Sequence, residues 1–306
     1  MTTIKTQNFG VEIELTGITR ARAAQTIAEY YGTAPHYIGT YYNTYGATDT
    51  KGRTWKCMSD GSIMTQKKVG NRIVSADHSY SCEVVTPILQ YEDIEDLQNI
   101  IRKLVENGAI ANYSCGIHVH VDGANHTPDS LIRLLGFAVG RQDLFYEALQ
   151  IGVRADRWCR KMNPELLKAM KEDHDKSKES IECIWYGTAN DGYHGGIDHS
   201  HYNTTRYHGI NLHAFFTKGT VEFRLFNGTT HAGKIKAYVQ FCLAMSAWAI
   251  NADDKMHFMG IENLSKAQRG KLMESVLTNR LGLKGKEFAT ARMHLTAAFK
   301  DNAEVA

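Results

Sequence analysis

No two cysteines in this chain have C-x-x-C spacing. Cys57, Cys82, Cys115, Cys159, Cys183 and Cys242 are scattered, which excludes a zinc knuckle or a compact disulfide framework and points to a reducing compartment. Charge of one sign is missing too. A net charge of +2 gives no basic field that would argue for an obligatory nucleic-acid partner. No apolar leader follows Met1, and the longest apolar run, around Phe241 to Ile250, falls well short of the roughly 20 residues of a bilayer span. Repeats, low-complexity tracts and linkers are absent. The expectation is a cytoplasmic protein with no membrane partner, folded as a single domain over residues 1–306, with enough apolar content at 43% for a core.

What is present is an alternation of short β patterns followed by helical ones. Thr19 can cap a helix that Gly32 stops, and Glu92 to Glu106 is an amphipathic helix closed by Asn107-Gly108. Tyr37 to Tyr45, Arg53 to Met58, Arg72 to Ser75 and Cys82 to Leu89 read as strands. Thr127-Pro128 opens a long helix through Phe145, and Lys171 to Glu182 reads as a solvated helix face. Gly187 to Gly209 has no periodicity and reads as a long lid or binding loop. Tyr207 to Phe216 and Thr220 to Asn227 form a hairpin across Thr217-Lys218-Gly219, after which a helical portion runs over about 231–306. The expected class is α+β: a curved, mainly antiparallel sheet flanked by helices.

Three strand patterns carry charge where a structural sheet would not. In Phe9-Gly-Val-Glu12-Ile-Glu14-Leu15 the glutamates share one face and Val11, Ile13 and Leu15 the other. Gly116-Ile-His118-Val-His120-Val121 and Thr220-Val-Glu222-Phe-Arg224-Leu225 repeat the arrangement. Carboxylates at i and i+2 stand roughly 7 Å apart, so at an effective dielectric of about 20 each pair repels by on the order of 2 kcal/mol. A divalent cation reverses that sign. Mg2+ or Mn2+ accepts carboxylate oxygen, tolerates imidazole and leaves positions for phosphate oxygens, so these strands point to a metal-nucleotide site.

Motif order carries a resemblance. Gly-x-Glu-x-Glu at Gly10 to Glu14, Asp60-Gly61-Ser62, Glu-x-x-Thr-Pro at Glu83 to Pro87, Gly-x-His-x-His at Gly116 to His120, and Arg-Tyr-x-x-x-Asn with Gly-Thr-x-Glu-x-Arg at Arg206 to Arg224 resemble the putative amidoligase family. That family is similar to glutamine synthetase and glutamate-cysteine ligase. The resemblance covers about Phe9 to Asn227 and implies a glutamine-synthetase-like catalytic domain. It implies an ATP-dependent carboxylate-amine ligase in which the γ-phosphate activates a carboxylate and an amine attacks the acyl phosphate. The partners would be a small-molecule or peptide carboxylate and an amine; oligomeric state is left open.

By the same similarity Glu12 and Glu14 are ligands of two metal ions, with Glu83 beside Glu14, and His118 and Glu222 complete the other site. His120 and Arg224 face the ATP phosphates with Lys56, and the two histidines can exchange roles. Arg206 joins His120 and Arg224 in catalysis, for an Arg beside a Gly-rich loop suits a carboxylate or an acyl phosphate. Tyr207 and Asn211, placed with Gly209 and His213 on one strand face, are substrate residues, as are Trp55, Asp60 and Ser62 by their neighbourhood. The loop histidines His194, His199, His201 and His208 lack a helical ligand turn or a cysteine partner and belong to a polar lid. Cys159 and Cys183 read as buried small apolar groups. Three competing readings remain: an ATP-guanido-type kinase, a metal-dependent hydrolase using His118-x-His120, and a non-enzymatic binding module on a ligase-like sheet.

Overall fold

Alternation makes β1 (Phe9–Leu15) a strand with two chemically opposite faces: Val11, Ile13 and Leu15 sit in the core, and Glu12 and Glu14 point the other way. The computed structural model describes residues 1–188, 196–253 and 260–300. After β1 come α1 (Arg20–Tyr31), β2 (Pro35–Gly39), β3 (Thr44–Thr48), β4 (Thr54–Met58), β5 (Gln66–Val69), β6 (Arg72–Ser75), β7 (Cys82–Val85), α2 (Ile94–Glu106) and β8 (Gly116–Asp122). The remainder is α3 (Pro128–Val139), α4 (Gln142–Ala148), α5 (Pro164–Glu172), α6 (Lys178–Thr188), β9 (Ile210–Asn211), α7 (His213–Lys218), β10 (Thr220–Asn227), α8 (Ala232–Asn251), α9 (Lys266–Ser275) and α10 (Ala289–Thr296). The fold is α+β, with a large antiparallel sheet and flanking helices.

Contacts divide the chain into two units, one of Asn8–Val119 with Phe226–Tyr238, the other of Met1–Gln7, His120–Leu225 and Val239–Ala306. In the first the strand order is β2-β3-β4-β7-β1-β8, with β2/β3, β3/β4, β4/β7 and β7/β1 antiparallel. Register carries each face across the strands. Ile13 lies opposite Val84 and Val84 opposite Cys57, all fully buried on the side that α1 covers, where Trp55 meets Tyr31 at 6.2 Å between ring centroids. Each such side chain contributes roughly 1.5–3 kcal/mol by leaving water. The other face carries Glu14 opposite Glu83, and Glu12 opposite Val85, which in turn faces Lys56.

A cluster outside that face ties β4 to α2. Arg53 bonds Asp49 and both carboxylate oxygens of Asp93, and Lys51 adds to Asp93. Burial alone would raise the Asp93 carboxyl, but Arg53, Lys51 and the Gln90 N–H hold it well below the usual carboxylate range.

In the second unit β9 and β10 pair antiparallel, Glu222 opposite Asn211, beside the end of β8. Its helices bury Phe137, Phe145 and Phe241, with Phe145 edge-on to Phe241 at 5.3 Å. Among the described residues no helix is long and apolar enough to cross a membrane.

Several expected elements divide. Tyr37 to Tyr45 is the turn of the β2/β3 hairpin, where Gly39, Thr40 and Asn43 take positive φ. The helix from Thr127 ends at Gly140, and α4 begins a separate run. Lys171 to Glu182 spans the gap between α5 and α6, because Asp173 accepts the N–H groups of Asp175 and Lys176 and turns the chain. The Tyr207 to Phe216 strand shrinks to Ile210–Asn211. The Asn211 side chain accepts the His213 N–H and α7 starts, so Gly219, left-handed at φ 74°, closes a helix rather than a hairpin. That removes the single strand face expected for Tyr207, Gly209, Asn211 and His213. Cys159 is buried, but Cys183 is exposed on α6. Part of the Gly187 to Gly209 loop, including His194, lies outside the described residues.

Candidate functional site

The charged face of the first unit is a compact acidic cluster. Glu14 and Glu83 are cross-strand partners on β1 and β7, and both are buried, at 4% and 9% exposure. His118 on β8, 3% exposed, places Nδ1 3.1 Å from Glu12 Oε2 and Nε2 3.7 Å from Glu14 Oε1. The Gly116 N–H donates to Glu14 Oε2 at 2.6 Å, fixing that carboxylate. One ligand atom each from Glu14, Glu83 and His118 lie within 4.8 Å of one another. The donors are hard carboxylate oxygens with one imidazole, a set suited to Mg2+ or Mn2+, and an ion with bonds of about 2.1 Å reaches across such a gap after small side-chain movements. No cysteine takes part, so nothing in the set favours a softer metal.

The charged face of β10 builds a second cluster in the other unit. Period two puts Thr220, Glu222 and Arg224 on one side and buries Val221, Phe223 and Leu225 on the other. Glu222 is held from two directions: Asn211 Nδ2 donates to Oε2 at 2.6 Å, and Arg224 Nη1 donates to Oε1. His120 joins from β8, with Nδ1 2.9 Å from Thr220 Oγ1 and Nε2 3.8 Å from Glu222 Oε1. Arg224 Nε reaches the Trp158 carbonyl at 3.3 Å, and its guanidinium lies 5.9 Å from the Tyr207 ring centroid. Tyr207 meets Trp158 edge-on at 5.5 Å, and Arg206 sits over Tyr207 at 5.6 Å while donating to the His201 carbonyl at 2.7 Å.

The expected residues are drawn from both units. Glu12, Glu14, Glu83 and His118 gather in one unit, and His120, Arg206, Tyr207, Asn211, Glu222 and Arg224 in the other. The two histidines have different neighbours: His118 lies beside Glu12 and Glu14, and His120 beside Thr220 and Glu222. Lys56 lies exposed on the charged face. Trp55, expected at the substrate, is instead fully buried on the opposite, apolar face, because β4 alternates around Lys56. Asp60 and Ser62 close a turn on themselves, with Asp60 Oδ1 accepting both the N–H and the hydroxyl of Ser62 at 2.6 Å.

Among the loop histidines, His199 Nε2 contacts Glu182, and buried His208 contacts the Thr205 carbonyl. Two participants were missed in the sequence. Thr220 was available from the same period-two pattern, whereas Trp158 follows the short helical turn Gly152–Asp156 with no periodicity to expose it.

A comparison with curated proteins found no match. A family model described as "Putative amidoligase enzyme" matches residues 5–246, which takes in both clusters and β1 through most of α8. The chain belongs to that amidoligase family.

Proposed function

We propose that the chain is an ATP-dependent carboxylate-amine ligase of the kind glutamine synthetase exemplifies, forming an amide or isopeptide bond through an acyl phosphate. The observation that carries this reading is the meeting of Glu14, Glu83 and His118 within 4.8 Å at a nearly dry position. Carboxylates brought together there need a cation to offset their repulsion. Glu12, Glu14, Glu83 and His118 would hold Mg2+ or Mn2+. When bound, such an ion offsets charge on the phosphate oxygens of ATP.

The chain's own residues do the rest. Arg224 and His120 meet the phosphates, with exposed Lys56 a further positive group, and Arg206 and Tyr207 receive the carboxylate substrate. Glu222 is a metal ligand by its motif position and has a second task, because its Oε1 accepts from Arg224 and Oε2 from Asn211. It thereby orients the guanidinium. In the reaction a carboxylate oxygen takes the γ-phosphoryl group and the bond to the β-phosphate oxygen breaks, releasing ADP. The amine nitrogen then attacks the acyl carbon, loses a proton and expels phosphate. Preorganised positive groups around the transferring phosphoryl are what such a reaction asks of a protein.

The test is ADP release by the purified protein with magnesium across a panel of carboxylates and amines, beside thermal stabilisation by ATP with magnesium. Amine-dependent ADP release supports the ligase. Stabilisation by zinc alone with no nucleotide response would favour a hydrolase, and ADP release without need of an amine would favour a kinase.

A further inference from the structure

Arg154 lies outside every motif discussed above. It sits in the short helical turn Gly152–Asp156 and is 5% exposed, between neighbours Val153 and Asp156 that are exposed, so it lies just below the surface. Its Nε and Nη2 are buried with no hydrogen-bond partner, and among the described residues no carboxylate pairs with it. A guanidinium carries five donors and does not deprotonate in a protein, so a buried one without an anion is costly.

Its position is close to the second cluster. The Arg154 carbonyl accepts the N–H groups of Trp158 at 2.9 Å and Cys159 at 3.1 Å, and Arg224 Nε donates to the Trp158 carbonyl. Burial raises the Cys159 thiol, and the charges of Arg154 and Arg224 both act on it in the opposite direction. The Cys159 thiol therefore feels both guanidinium groups, and Arg154 also hydrogen-bonds it. Arg224 has Glu222; among the described residues Arg154 has the neutral Cys159 thiol and no carboxylate.

We propose that Arg154 is an anion-binding residue: together with Arg224 it receives an oxyanion of the bound reactants, a nucleotide phosphate or a substrate carboxylate. The geometry asks only for an anion, and the ligase reading above is used only to say which anions the protein meets.

The experiment is thermal stabilisation of the full chain by tripolyphosphate without metal and by L-glutamate, for the wild type, Arg154→Met and Arg154→Lys. Without ligand, Arg154→Met should melt at the wild-type temperature or above it, since a buried charge is removed. Its stabilisation by anion should need about tenfold more ligand or vanish, as expected for loss of a charge-assisted fork. Loss of the tripolyphosphate response assigns Arg154 to a nucleotide phosphate, and loss confined to glutamate assigns it to a substrate carboxylate. Should Arg154→Met fail to fold, Arg154→Lys is read on the same titrations, and a midpoint raised several-fold supports the proposal. Responses unchanged in the readable variant, or a wild type that responds to neither anion, overturn it. Stabilisation by magnesium alone is read in parallel. Its absence while the Arg154-dependent anion response persists counts against the ligase reading and leaves Arg154 assigned.

Discussion

Glu83→Gln is the most direct test of whether the acidic cluster is built for a cation. In the wild type, ligand atoms of Glu14 and Glu83 lie within 4.8 Å, on side chains that are 4% and 9% exposed. At an effective dielectric of about 20 two unit charges at that distance repel by about 3.5 kcal/mol. The Gly116 N–H, 2.6 Å from Glu14 Oε2, offsets part of this. Glutamine keeps the shape and a carbonyl acceptor while removing the charge. In EDTA the variant should therefore be as stable as the wild type or more so, by up to about 2 kcal/mol.

Magnesium should reverse the order. A ligand at 100 times its dissociation constant stabilises by about 2.7 kcal/mol, and the variant, lacking one anionic ligand, should lose most of that gain. The assay is urea denaturation of both proteins in EDTA and in a magnesium series. A Glu83→Gln protein that is less stable than wild type in EDTA, with an unchanged magnesium response, would refute the reasoning and make Glu83 a structural group.

His126 gives a pH prediction. Burial first, and the Arg133 charge second, lower it to about 4, and its ring nitrogens contact Ser130 and Ser246. The unfolded chain titrates near the ordinary 6.5 and so takes the proton first as pH falls. Stability from this group is fully present above about 6.5 and is lost between there and about 4, worth up to about 3 kcal/mol. Urea midpoints at pH 7 and pH 4.5 should differ less in His126→Gln than in wild type.

Asp93→Asn should cost about 1 to 2 kcal/mol at pH 7, because it removes the carboxylate that Arg53 and Lys51 share and leaves them Asp49 and Glu92. The loss should shrink in acid, since a depressed carboxyl contributes above the usual carboxylate range and not below it; an unchanged urea midpoint at pH 7 would count against the network.

Gly17→Ala should destabilise more than Gly32→Ala, as measured by chemical denaturation. Both glycines have positive φ, at 79° and 68°, but a Cβ on Gly17 would stand 2.4 Å from the Gly108 carbonyl oxygen and one on Gly32 meets nothing within 4 Å. About 1 kcal/mol is expected at Gly32 and at least about 2 at Gly17.

The α+β class, the charged faces of β1, β8 and β10, and the starts of most helices were legible in the chain, because period two and capping residues are local properties. Glu12, Glu14, His118, Glu222 and Arg224 could be named that way, and motif order pointed to the family that the match over residues 5–246 shows. Breaks were harder. The turn between β2 and β3, the stop at Gly140 and the α7 helix depend on backbone states such as φ 73° at Thr40 that composition does not announce. Trp55 shows the same limit within a site: its neighbours suggested contact with substrate, and register across β4 and β7 turned it into the core.

Alternation along a strand needs only the pleat, so the chain by itself determined which side chains share a face. Which faces meet depends on register and on partners far apart in sequence. Only the tertiary structure could decide that Glu83 stands opposite Glu14, that His118 lies beside Glu12 and Glu14 while His120 lies beside Thr220 and Glu222, and that Arg154 is buried with no carboxylate partner among the described residues.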